Sequence, residues 1–332
     1  MNVEEHPDCA EGVFNGTLIE AEVPLIYVQT WGLQFWHNLA IHGIVKQTKD
    51  YPVVWLLAVP WHMSHQPMVD GLKFLLSRVA ELAPNHRCLV LCNTPEDGFV
   101  CEQLNFNYLL VHQNQFVDRS SFKPLQREKK YDAVMNSAFR EYKRHWLATK
   151  ISSLSLISYF LEPDAVAGIK STLPQAVIAN EAENGSSWLS WSAVNEAYNA
   201  AKCGLILSDV EGGNYASIEY LLAGLPVVTT VNIGGRDRYL DGRFCSWVNA
   251  DPDSVAKAVY NYTRLAIDPQ FIRTETIRKL DNDFDDSSFE IGSRLGLDVK
   301  ATADAFNRWR GHGFIQHRQI SYITDRLKAV YG

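Results

Sequence analysis

Short apolar runs rich in β-branched residues alternate with helical patterns along this chain. "PLIYVQ" (24–29), "PVVWLLAV" (52–59), "RCLVLC" (87–92) and "YLLVH" (108–112) have the length and composition of buried strands. Between the second and third, "MVDGLKFLLSRVAEL" (68–82) spaces its apolar residues as a helix lying on a sheet does. A polar, proline-containing stretch, "NQFVDRSSFKPLQREKK" (114–130), interrupts the pattern. It resumes with "YDAVMNSA" (131–138), a charged helix expected over "REYKRHWLATKI" (140–151), and "SLSLISYF" (153–160). Next come "QAVIAN" (175–180), a helix over "SWSAVNEAYNAAK" (190–202), "GLILS" (204–208) and "LPVVTT" (225–230). From "DPDSVAKAVYNYTRLAI" (251–267) onward the pattern is helical, and no internal repeat is visible. Strand–helix alternation predicts an α/β chain with two Rossmann-like domains and a helical C-terminal tail. The expected boundaries give residues 1–122, a short first domain, then 123–300 and 301–332. Ligands of such sheets bind at the carboxyl ends of the strands.

Composition narrows the partners. Of 332 residues, 46% are hydrophobic and 21% charged, enough for a large core and against disorder. Lys and Arg number 31 against 38 Asp and Glu, a net charge of −7 that disfavours nucleic acid as a partner. The six cysteines are Cys9, Cys88, Cys92, Cys101, Cys203 and Cys245. Cys88 and Cys92 sit in "CLVLC" with no nearby His or second pair, so free buried thiols are expected rather than zinc. The N-terminus "MNVEEHPDCAEG" has no secretory pattern, and no run approaches the ~18 apolar residues of a membrane span. The expectation is a cytoplasmic protein. The patch "RHWLATK" (144–150) leaves peripheral contact with the inner face of a membrane open.

The chemistry concentrates in "SDVEGGNYASIEYLLAGLPVVTT" (208–230). Ser208 to Asn214 follow a buried strand, Asn214 is a good N-cap, and Tyr215–Gly224 reads as a helix stopped by Gly224. Gly212 and Gly213 allow backbone amides to approach a ligand, and a helix N-terminus favours an anion such as phosphate. Glu219 lies more than a turn into the helix, where a carboxylate can accept two hydrogen bonds from a diol such as a ribose. Glu211, before the turn, would face the other end of the same ligand. A plain strand–turn–helix with two exposed glutamates accounts for these residues equally well when they stand alone.

The wider pattern resembles the signature of retaining glycosyltransferases of the GT-B fold, the large family with two glutamates separated by seven residues. That family includes sucrose synthase and bacterial mannosyl- and glucosyltransferases. Ser208, Glu211, Gly212, Glu219, Ala223, Gly224, Pro226, Val227, Val228 and Thr230 fall in register, followed by Gly234–Gly235 and Asp241–Gly242. Upstream, Asn114, Val117, Asp118, Phe122 and Pro124 resemble the family's interdomain motif. The likeness covers about residues 113–265.

The resemblance implies two Rossmann-like domains facing a cleft. It implies a nucleotide-sugar donor, a glycan or glycoconjugate acceptor, and no cofactor or metal. Glu219 would bind the ribose, and the amides of Gly212, Gly213, Asn214 and Tyr215 would approach the sugar and phosphate. Glu211 would serve the anomeric centre. Lys143, Arg144 and Arg140 are the candidate phosphate ligands, since Asn136 stands near the family's usual Arg. Ser208, Gly234 and Gly235 line the same pocket, and Arg236 is either a further anion ligand or a surface arginine. The loop after "QAVIAN", with Asn180, Glu181 and Glu183, is where the family reads the base. In the first domain, His62 and His65 of "VPWHMSHQP" (59–67) are candidates for orienting the acceptor hydroxyl or donor sugar. Trp31, Trp36 and His37 read first as packing and second as a surface for stacking a sugar ring. Product class by family habit is a bacterial surface polysaccharide. The alternatives are a nucleotide-sugar epimerase or hydrolase, and a non-catalytic sugar-nucleotide-binding partner of another transferase. A dinucleotide oxidoreductase is disfavoured, because no strand is followed by G-x-G-x-x-G.

Overall fold

The computed structural model of the chain describes residues 13–29, 39–159, 162–182, 185–186, 188–314 and 317–331. Trp31, Trp36, His37 and Glu183 lie outside them. The chain divides into two compact units, residues 1–117 with 282–332, and residues 118–281. The first unit therefore also takes residues 282–332, although the sequence suggested a short domain ending near residue 122. The second ends at Asp281, earlier than the expected residue 300.

In the first unit the elements are β1 (Val13–Ile19), β2 (Leu25–Gln29), α1 (Leu39–Thr48), β3 (Val53–Ala58) and α2 (Gln66–Leu82). β4 (His86–Cys92), α3 (Pro95–Gln103) and β5 (Tyr108–Leu110) follow. Strands β2 to β5 are parallel and β1 runs antiparallel to β2. All six residues of β3 are buried, as expected of a strand covered on both faces. Val53, Trp55 and Leu57 join one core, which includes α2 residues Leu72 and Leu75. Val54, Leu56 and Ala58 join a second core with Phe284 and Phe306. Each fully buried side chain of this kind contributes roughly 1.5–3 kcal/mol.

The second unit contains β6 (Tyr131–Asn136), β7 (Leu154–Ile157), α4 (Pro163–Thr172), β8 (Ala176–Ile178), and the short pair β9 (Glu181–Ala182) and β10 (Gly185–Ser186). Then come α5 (Trp191–Asn199), β11 (Ala201–Ile206), α6 (Tyr215–Leu222), β12 (Val227–Thr230), β13 (Cys245–Val248) and α7 (Pro252–Arg264). Its sheet is parallel throughout, in the order β13-β12-β11-β6-β7-β8. Numbered from β6, that is the 3-2-1-4-5-6 order of a dinucleotide-type Rossmann sheet. The helix expected over residues 140–151 is absent. Two short 3-10 turns, Glu141–Lys143 and His145–Ala148, replace it, separated by Arg144 in the left-handed region (φ 52°).

Helix α8 (Pro269–Leu295) starts in the second unit and ends in the first. After α9 (Val299–Asn307), β14 (His317–Gln319) pairs antiparallel with β1 at the sheet edge, and α10 (Ile320–Tyr331) places Ile320, Ile323 and Leu327 in the first core. β1, β13 and β14 were not anticipated from the pattern; β14 is a polar tripeptide that its pairing alone makes a strand.

Gly224 ends α6 with φ +77°, and a Cβ there would meet Pro269 Cβ at 2.6 Å. Both the backbone conformation and the space exclude a side chain. We expect Gly224→Ala to lower stability by about 1–3 kcal/mol, read as a lower urea midpoint at unchanged slope.

Candidate functional site

The crossovers leave the second sheet in opposite directions from β6 and β11, which are neighbours. The crevice between their carboxyl ends is where a doubly wound sheet receives its ligand. Three segments converge there: residues 137–148 after β6, 207–214 after β11 and 231–237 after β12.

Glu211 is their hub. Lys143 Nζ is ion-paired with Oε1, while Ser208 Oγ and Asn214 Nδ2 (2.6 Å) donate to Oε2. Glu211 is 6% exposed and Lys143 4%. A buried pair of this kind holds only when further hydrogen bonds satisfy it, and Ser208 and Asn214 supply them. Asn214 serves two ends at once, because its Oδ1 accepts from Ser217 N at 3.1 Å and so caps α6. Ser137 Oγ and His145 Nε2 are 2.9 Å apart. Burial, with Lys143 nearby, holds His145 down at about 4 and keeps it neutral at pH 7.

The arginines are held by acceptors of the protein itself. Arg236, expected as an anion ligand or a surface residue, is 1% exposed, and all five of its N–H groups are used within the protein. Nε donates to Asp237 Oδ1 (3.0 Å), NH1 to Ser208 O and Ser208 Oγ (2.7 Å), and NH2 to Thr229 Oγ1 (2.9 Å) and Thr230 O. Arg144 donates from Nε to Leu207 O (2.5 Å) and from NH2 to Ser208 O (3.0 Å) and Thr230 Oγ1 (2.6 Å). These bonds explain its left-handed backbone, which breaks the expected helix. Arg140 is half-exposed and lies 3.3 Å from Glu162. Of the three basic candidates in this segment, the structure brings Lys143 to the carboxylate.

The β12 segment is joined to the β11 segment by backbone. Glu211 N donates to Ile233 O (3.0 Å) and Ile233 N to Asp209 O (2.8 Å). Gly234 has φ +114°, and a Cβ there would collide with the Glu211 carbonyl. Gly234 thus lets the two loops touch; Gly235 follows it, and Gly212 and Gly213 lead into α6 at Tyr215.

Glu219 is held apart from Glu211. Every residue from Ala216 to Leu222 is buried, so the carboxyl sits in the sheet–helix interface at 5% exposure. Tyr198 OH donates to Oε2 at 2.6 Å and accepts from Asn136 Nδ2 at 2.5 Å. Asn136 N donates to Tyr220 OH at 2.6 Å. Burial raises the Glu219 carboxyl to about 7 against this one favourable hydrogen bond. Asn136 is therefore engaged in the scaffold.

Tyr142 and Tyr159 were missed in the sequence. Burial raises both phenols, and the Glu211 charge adds to each; Glu219 also acts on Tyr159. Tyr159 follows β7 at its carboxyl end, a position that could have flagged it. In the loop after β8, Asn180 is clipped to Ser158: its Oδ1 accepts from Ser158 N (3.1 Å) and its Nδ2 donates to Ser158 O. Glu181 pairs with Lys170 at 2.5 Å.

His62 and His65 belong to the first unit. His62 Nδ1 accepts from Ser64 N (3.2 Å) and lies 2.8 Å from Ser64 Oγ, with Nε2 3.9 Å from Asp97 Oδ1. Asp97 is fully buried, and burial raises its carboxyl. His65 is exposed and meets Trp61 edge-on. Cys88, Cys92, Cys101, Cys203 and Cys245 are free thiols. Among the described residues no cluster of three or more His, Cys, Asp or Glu is arranged to hold a metal, and no helix is long and apolar enough to cross a membrane.

Neither a protein-family model nor a curated protein matches the sequence. Solved structures do match in fold. A sucrose-phosphate synthase from Thermosynechococcus elongatus superposes with a TM-score of 0.54 at 14% identity, covering 86% of this chain and 72% of its own. A TarM variant from S. aureus, solved with fondaparinux, alpha-GlcNAc-glycerol and UDP, gives 0.51 at 10% identity over 82% of this chain and 58% of its own. The α/β architecture with two parallel-sheet domains is thus shared with glycosyltransferases of the GT-B fold, and at these identities the likeness is one of fold.

The Glu219 carboxyl makes stability depend on pH. Its folded-state pKa of about 7 lies above the ordinary 4.5, so the folded form binds the proton more tightly. The contribution is complete below 4.5 and lost as pH rises through 7. Glu219→Gln removes the buried charge, and we expect it to raise Tm relative to the parent at pH 8 and to change it little at pH 4.5. Equal Tm shifts at both pH values would show that burial does not penalise this charge.

Proposed function

We propose that this chain is a glycosyltransferase that takes a sugar from a nucleotide donor held at the β6–β11 crevice and transfers it to a glycan or glycoconjugate hydroxyl. The observation that carries this reading is the placement of Lys143, Glu211, Asn214 and the α6 N-terminus at one switch point, with Glu219 in the helix behind. Glycosyl transfer develops positive charge on the sugar ring and negative charge on the leaving phosphate. Glu211 is the carboxylate for the first, and Lys143 with the α6 dipole answers the second. Glu219, anchored by Tyr198, would take the ribose hydroxyls. Arg144 and Arg236 support the loops and add positive potential without direct contact.

The same proposal includes retention of anomeric configuration, a role for His62 on the acceptor hydroxyl, a surface-polysaccharide product, a metal-free reaction and a cytoplasmic location. Support for retention, product and metal-free chemistry comes from the resemblance of residues 208–242 to the two-glutamate family. An epimerase or hydrolase would use the same donor without an acceptor. A non-catalytic partner would bind the same nucleotide sugar and transfer nothing.

A thermal-shift and calorimetric screen against UDP, GDP, ADP, TDP, CMP and their sugar conjugates tests the reading. One nucleotide family should stabilise the protein, and silence from all of them in a folded sample would overturn it. With the donor in hand, Glu219→Ala should weaken nucleotide binding about tenfold, the loss of roughly one charge-assisted hydrogen bond. Lys143→Ala should reduce the transfer rate more than it reduces donor affinity.

A further inference from the structure

The geometry points to a competition built into the donor site: Glu211 is paired with the buried ammonium that the donor's phosphate would use. This inference rests on the reading above. Arg236 has its N–H groups engaged, Arg144 spends Nε and NH2 on Leu207 O, Ser208 O and Thr230 Oγ1, and Arg140 stands outside with Glu162. Lys143 is the cation within the cluster, and it is already ion-paired with Glu211. Lys143 has further N–H groups, but its charge is already balanced by Glu211, so an incoming phosphate competes with Glu211 for that charge.

Glu211 keeps its bonds from Ser208 and Asn214 but loses its cation, and a buried carboxylate stripped of its cation is costly. A hydroxyl of the transferred sugar, donating to the vacated Oε1, restores what was lost. A complete donor supplies both replacements at once, an anion for Lys143 and a donor for Glu211. The spent nucleotide supplies only the first. The pair thus discriminates against the product of the reaction: once the sugar leaves, Glu211 recovers Lys143 and the nucleotide is expelled. Glu211 acts in this step through Lys143, in addition to any contact it makes with the sugar.

The experiment titrates inorganic pyrophosphate into the parent, Glu211→Gln and the double variant Glu211→Gln with Lys143→Met, each shown folded by circular dichroism and Tm. Glutamine keeps an acceptor for Ser208 and Asn214 while releasing the ammonium. Pyrophosphate should bind Glu211→Gln at least about tenfold more tightly than the parent, the low end for coupling between close buried charges. The double variant should lose that gain.

Equal or weaker binding to Glu211→Gln overturns the competition, as does a gain that persists without Lys143. If Glu211→Gln does not fold, Ser208→Ala provides the second route. It loosens Glu211 while leaving Lys143, so the competition requires a larger ratio of nucleotide-sugar to nucleotide affinity in the parent than in this variant; an unchanged ratio overturns it. A parent that binds nucleotide sugars while Glu211→Gln shows no gain leaves the glycosyltransferase reading standing. A Lys143-dependent gain in a protein that binds no nucleotide leaves the ion-pair competition standing and removes that reading.

Discussion

A carboxylate as deep as Glu211 survives folding only if donors surround it, and meeting that requirement organises the second unit's crevice. Lys143 comes from the turn after β6, Ser208 from the end of β11, and Asn214 from the cap of α6. Two of them have a second duty: Ser208 Oγ accepts from Arg236 and Asn214 caps α6. Displacing the carboxylate would therefore disturb a strand end, a helix cap and a loop together. That shared dependence keeps the three segments in register without a bound ligand.

The two glutamates of the motif live under opposite conditions. Glu211 meets a cation and two neutral donors. Glu219 meets a single phenol in an interface that raises its proton affinity. Glu211 has both oxygens engaged, whereas Glu219 has Oε2 bonded to Tyr198. Tyr198 is itself held by Asn136, so the phenol that meets Glu219 is fixed in place.

Much of this was legible in the sequence. Short, mainly apolar runs announced β2–β4, β6, β7, β11 and β12, because strands covered on both faces favour apolar side chains. Asn214 as cap and Gly224 as stop followed from local chemistry. What stayed hidden depended on partners far along the chain. Arg144 adopts a left-handed backbone for bonds to Leu207, Ser208 and Thr230, which helical periodicity around residue 144 cannot reveal. The same holds for Arg236, whose pocket is made from Ser208, Thr229 and Thr230. The burial of Glu219 required knowing that α6 has no exposed side, and polar β14 became a strand only through β1.

The pairing of β14 with β1 bears on biosynthesis. The second unit is one uninterrupted stretch of chain, residues 118–281, whereas the first is split around it. As the polypeptide leaves the ribosome, β1 emerges early but has to wait for its edge partner until residue 317 is made. Ile320, Ile323 and Leu327, which join the core of β2 and β3, arrive later still. The later-made unit can therefore close its core before the earlier one, reversing the usual N-terminal-first order. Throughout that interval the nascent first sheet shows an open edge and an uncovered apolar face, the surfaces that general chaperones recognise.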